Sequence, residues 1–195
     1  MKAAIKNKIY DDLDNILAPE LETSKIKTMT HGDFWVNNML FSSDDPNDPT
    51  LTVTMIDFQL MTLCHPGRDL WYLLYDNVDR EFRAKHLHTV LKEYFIVLSG
   101  YLKQGGLAMS FQEFMDEINK IRAGTALVFS SMVLCIGLNP VPLSFATMSD
   151  ANHVVETFKQ QLGNPPQESD DPMVKEIRRR LLGTILELDE EGFLQ

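Results

Sequence analysis

The chain has 195 residues, 44% hydrophobic and 24% charged, the balance of one ordinary globular domain or of one large lobe of a bigger protein. Its formal net charge of −10 weighs against a nucleic-acid binder, which needs a basic face, but not against a nucleotide held through one Mg²⁺ and a few local cations. Two cysteines, Cys64 and Cys135, make no disulfide framework and read as free thiols in a reducing compartment.

No long apolar segment follows the charges at the N-terminus, so no signal peptide is read. Residues 3–18 carry apolar side chains at Ile5, Ile9, Leu13, Ile16 and Leu17, which suits an amphipathic helix stopped before Pro19. Glu20–Lys27 reads as loop, and Thr28–Thr30 leads into His31-Gly32-Asp33. Asn38–Ser42 and Leu51–Ile56 read as two strands of a hairpin, with turn formers and two prolines between them. Beyond Asp57 the pattern turns helical. Pro66-Gly67-Arg68-Asp69 opens a segment rich in Leu, Trp and Tyr. Asp79 caps a helix expected to run to about Lys103, with Phe82, Leu87, Leu91, Tyr94, Phe95, Leu98 and Leu102 as its apolar positions. Ser110 and Glu113 form a capping box for a helix from Phe111 to about Gly137. Its apolar run Thr125–Leu138 is too short to span a bilayer and reads as buried, so no membrane span is expected and cytoplasm is the expected location. Further helices are expected over Asp150–Leu162 and from Asp171, with Pro172 at its first position, to about Gly192. The fold class read here is α+β and predominantly helical, one unit with a small β-hairpin followed by a helical part over 66–195.

Three side chains carry the chemistry. Asp33 is followed five residues later by Asn38, and the hairpin would return Asp57 to the side of Asn38. A carboxylate at Asp33 can orient an acceptor hydroxyl and take its proton, while Asn38 and Asp57 offer hard oxygens to Mg²⁺ whose shell phosphates would complete. Gly32 would allow a sharp turn beside the base. His31 could tie the loop to neighbouring backbone, and Asp69 could brace it. Taken singly, each has a plainer reading: Asp33 as a turn or cap residue, His31 as a partly buried histidine, Asn38 as a strand start, and Asp57 and Asp69 as caps. Phe34, Trp35 and Phe58 read as core. Cys64-His65 lacks the further ligands a zinc site needs.

The conjunction His31-Gly32-Asp33-x-Trp35-x-x-Asn38-x-x-Phe41, then Ile56-Asp57-Phe58-Gln59 and Asp69-Leu70, resembles the ecdysteroid kinase-like family, which is related to aminoglycoside and choline kinases. The motif resemblance covers roughly 28–104. It implies the C-terminal lobe of a protein-kinase-like fold, with ATP and Mg²⁺ as cofactors, Asp33 as catalytic base and Asn38 and Asp57 as metal ligands. The implied substrate is a small hydroxylated molecule, an ecdysteroid or a similar lipophilic alcohol. The N-terminal lobe with its phosphate-covering loop and lysine is not recognisable before Gly32. The expectation is therefore a fragment of a longer kinase or a natural half-kinase. A non-catalytic module is the alternative, binding a small molecule, or a protein at the face left open. A metal-dependent hydrolase built on the same three residues is a weaker third reading.

Overall fold

The computed structural model describes residues 26–43, 51–127 and 171–194. The expected helices over 3–18 and 150–162, Cys135 and most of the run Thr125–Leu138 lie outside these residues.

The described residues are mostly helical, with two small antiparallel sheets, an α+β arrangement. Strand β1 (Thr28–Thr30) precedes the motif, and β2 (Met39–Ser42) and β3 (Thr52–Met55) form the expected hairpin. Its register pairs Met39 with Met55 and Ser42 with Thr52. A fourth strand, β4 (Thr62–Cys64), returns to pair with β1, with Thr28 opposite Cys64. The reading of a helical pattern straight after Asp57 is thus corrected: a 3₁₀ turn at Phe58–Leu60 and β4 come first. Nesting one hairpin inside the β1–β4 pair brings both ends of the motif to one place. The Thr30 hydroxyl reinforces this closure by donating to the Thr62 carbonyl at 3.0 Å.

Helix α1 (Gly67–Asn77) follows. Its first turn is capped by a side chain from the preceding segment: buried His65 accepts from the Gly67 N–H through Nδ1 at 3.0 Å. Helix α2 (Arg80–Gln104) starts at the expected cap, where Asp79 Oδ1 accepts from the Phe82 N–H at 2.8 Å. Helix α3 (Phe111–Asn119) has the reciprocal Ser110–Glu113 capping box. It stops at Asn119 rather than continuing to Gly137; a turn at 120–121 separates it from helical residues 122–127. Helix α4 (Pro172–Glu190) has Pro172 at its first position.

The core is the buried face of α1, with Leu70, Trp71, Leu74 and Tyr75, packed on Leu91 of α2 and on Phe114 and Ile118 of α3. Trp71 is fully buried without an orphaned donor, because its indole N–H reaches the Ile118 carbonyl at 2.7 Å. Phe82, expected on the apolar face of α2, is exposed and lies against His86. Helix α1 therefore has one face committed to the core. Its other face meets the motif.

Candidate active site

The loop after β1 is held by side chains of α1. Asp69, in the first turn of α1, accepts from the backbone N–H of His31 at 2.6 Å (Oδ2) and of Gly32 at 3.0 Å (Oδ1). It is a brace across 38 residues of sequence, and the helix cap is made elsewhere. Near the other end of the loop the Val36 N–H donates to Asn77 Oδ1 at 2.8 Å. Gly32 has φ +83°, and a Cβ there would lie 2.2 Å from the Leu60 carbonyl oxygen. Only glycine fits, for both conformational and steric reasons.

His31 is buried, and its Nε2 lies 2.9 Å from the Ile56 carbonyl, so Nε2 carries the proton and donates. Its ring packs 4.8 Å from Phe58 and 5.8 Å from Phe34, centroid to centroid. Phe58 is not the core residue expected: it remains 47% exposed beside His31. Trp35 is partly buried, and its indole N–H is enclosed without a hydrogen-bond partner among the described residues.

Asp33 sits between two donors. The Asn38 amide nitrogen donates to Asp33 Oδ2 at 2.8 Å and to the Asp33 carbonyl at 2.9 Å, and the Tyr72 hydroxyl donates to Asp33 Oδ1 at 2.9 Å. With its nitrogen committed to Asp33, Asn38 has Oδ1 as the side-chain atom able to ligate a cation. The hairpin register brings Asp57 to the same place, since the Ile56 N–H donates to the Asn38 carbonyl at 3.0 Å. Asp57 is the one described non-glycine residue at positive φ (63°, ψ 61°), a left-handed conformation that costs energy and persists where its surroundings impose it. Its exposed carboxylate meets the Gln59 amide at 3.4 Å. A cation held here could take one amide oxygen, from Asn38, and one carboxylate, from Asp57. Hard oxygens in small number suit Mg²⁺ that shares its shell with phosphates. Among the described residues no three His, Cys, Asp or Glu side chains cluster as a self-contained metal site.

Two side chains of α1 escaped the sequence reading. Tyr72 sits in the run Leu70–Tyr75, where an aromatic reads as core; its hydroxyl bond to Asp33 spans 39 residues. Burial, then the hydrogen bond to the Asp33 carboxylate, pushes its phenol far above the usual range, so it stays a neutral donor. Asp76, one turn further on, is partly buried, and its carboxyl is pushed up to about 6. Burial is the main cause, opposed by Arg180 and reinforced by the Asp33 carboxylate. The folded chain therefore holds a proton on Asp76 that the unfolded chain has released, in the window from about pH 4 to about pH 6. Stability falls as pH rises through it. Asp76→Asn is expected to match the native protein at pH 4 and to exceed it by about 1–2 kcal/mol at pH 7. Solvent screening at this partly exposed site keeps the gain below the full two-unit effect. Urea unfolding at the two pH values checks it.

The family model for the ecdysteroid kinase-like family matches residues 2–107, more than half of the 195-residue chain. The chain belongs to that family. No curated protein and no solved structure matches it. Among the described residues no helix is long and apolar enough to cross a membrane.

Proposed function

We propose that this chain supplies the C-terminal, catalytic lobe of an ATP-dependent phosphotransferase acting on a hydroxyl of a small lipophilic molecule such as an ecdysteroid. The observation that carries the reading is the Asp33 carboxylate, clamped by Tyr72 and Asn38 at the point where the hairpin returns Asp57. Phosphoryl transfer asks the protein mainly for position and charge compensation. On this reading Asp33 orients the acceptor hydroxyl and takes its proton as the new bond to phosphorus forms. Asn38 Oδ1 and the Asp57 carboxylate would hold Mg²⁺, which supplies charge neutralisation on the phosphate oxygens when bound. His31 and Asp69 keep the loop backbone in place for both tasks.

A second reading, a non-catalytic binding module, draws on the apolar side chains that the hairpin leaves in solvent, among them Leu40, Phe41, Val53 and Met55. The deciding experiment incubates the full-length protein that carries these residues with γ-labelled ATP, Mg²⁺ and a panel of steroid and other lipophilic alcohols. Mg²⁺-dependent label on an alcohol, abolished by EDTA, is the expected result. Binding of an alcohol with no transfer favours the module. Release of inorganic phosphate at the same rate with or without an alcohol would point to hydrolysis instead.

A further inference from the structure

The motif residues leave one strong contact to Asp33 unaccounted for. Asp33 Oδ2 is met by Asn38, a residue of its own loop, but Oδ1 is met by Tyr72, which belongs to a different element. Tyr72 is 6% exposed, so its ring is fixed by packing and its hydroxyl has little freedom to leave the carboxylate. It lies three residues beyond Asp69, which places both on one side of α1. The side facing away from Tyr72 carries Leu70 and Leu74 into the core.

We propose that Tyr72 is a positioning residue for Asp33: its hydroxyl fixes the plane of the carboxylate from the rigid helix α1, so that the base meets the acceptor hydroxyl in one orientation. The inference rests on the phosphotransferase reading for its kinetic consequence, and on geometry alone for the contact. A carboxylate on a loop can rotate about its side-chain bonds. Two donors from different elements, one at each oxygen, remove that rotation and still leave lone pairs for a third, incoming hydroxyl. A neutral phenol suits the task better than a cation, because it orders the carboxylate without neutralising the negative charge that draws the proton.

Two measurements test it. In the full-length protein, Tyr72→Phe keeps the ring and removes the hydroxyl. The expected result is a turnover number lower by about ten-fold or more, with the KM for ATP within about two-fold of the native value and an unchanged urea midpoint. Native turnover, or loss of turnover together with the fold, overturns the positioning role. The second measurement needs no activity. The chain is labelled with 3-fluorotyrosine, which titrates at lower pH than tyrosine, and the Tyr72 fluorine signal is assigned from its absence in Tyr72→Phe. That signal is expected to titrate above those of exposed tyrosines, and to move down by about one pH unit in Asp33→Asn. An unmoved signal overturns the contact itself. Asp33→Asn in the same transfer assay separates the two claims. If it retains turnover, the phosphotransferase reading fails, and the fluorine titration still decides whether Tyr72 holds Asp33.

Discussion

Asp33→Asn is expected to lower phosphotransfer by about 10²–10⁴-fold while leaving the protein folded, the range that loss of a positioned general base produces. The substitution is nearly isosteric. It replaces two acceptor oxygens by one acceptor and one donor, so only one of the Tyr72 and Asn38 contacts keeps its present form. The Tyr72 hydroxyl can rotate to accept in place of donating, which limits the stability cost to about 1 kcal/mol. What the variant cannot do is take a proton. Asp33→Glu supplies the complementary test: it keeps the charge but moves it by one methylene, and misplacement of about 1 Å costs about 10²-fold in reactions that depend on position. Turnover with saturating MgATP, alongside urea unfolding, reads both variants. Native turnover in Asp33→Asn would remove Asp33 from the role of base, whatever the family.

The parts of this fold that the sequence displays are those fixed by local chemistry. The hairpin was legible because Ser43–Pro49 is dense in turn formers and two short apolar runs flank it. The caps at Asp79 and Ser110 were legible because a cap is a contact between residues three apart. The β1–β4 pair was not, since three-residue strands show no alternation to read and Thr62–Cys64 is joined to its partner only by tertiary closure. The stop at Asn119 was hidden for the opposite reason: apolar positions continue in helical spacing through Ile118, Ile121 and Leu127, so periodicity runs straight across a turn.

In the candidate site, the order His31-Gly32-Asp33, Asn38 and Asp57 stands in the sequence as a motif, whereas Asp69 is open there between cap and brace, and its two bonds to loop backbone make it the brace. Tyr72 and Asp76 could not be found this way. Burial sets the character of both, and Asp33, around forty residues away, adds a hydrogen bond to Tyr72 and a like charge near Asp76; a tyrosine among Leu, Trp and Tyr carries no local mark of a polar duty. The exposed Phe58 shows the reverse error: apolar identity suggested core, but the 3₁₀ turn after Asp57 keeps the ring beside His31 near the surface.

The largest loss of stability is expected from Glu187→Ala. Glu187 is buried between two buried arginines. Its Oε2 accepts from Arg83 Nη2 at 2.8 Å, and its Oε1 accepts from the Tyr75 hydroxyl at 3.1 Å and from Arg122 Nη2 at 3.2 Å. Arg83 also donates to the Val78 carbonyl at 2.6 Å, closing the junction between α1 and α2, and its guanidinium lies 4.3 Å from the centre of the Tyr75 ring. Arg122 keeps a second carboxylate, Glu191, at 2.7 Å, but Arg83 has no other carboxylate within ion-pair distance among the described residues. Removing Glu187 therefore strands a guanidinium in a site with little water, a situation that costs about 3–5 kcal/mol. The exposed Arg80–Glu190 pair joins the same two helices, α2 and α4, and gives the control: Glu190→Ala is expected to cost less than about 1 kcal/mol. Urea unfolding of the two variants should separate them clearly, and similar midpoints would show that the buried network contributes no more than a surface pair. The difference bears on the site as well. Tyr75, held by Glu187 and Arg122, lies on α1 three residues beyond Tyr72, so the ion network fixes the same helix that braces Asp33.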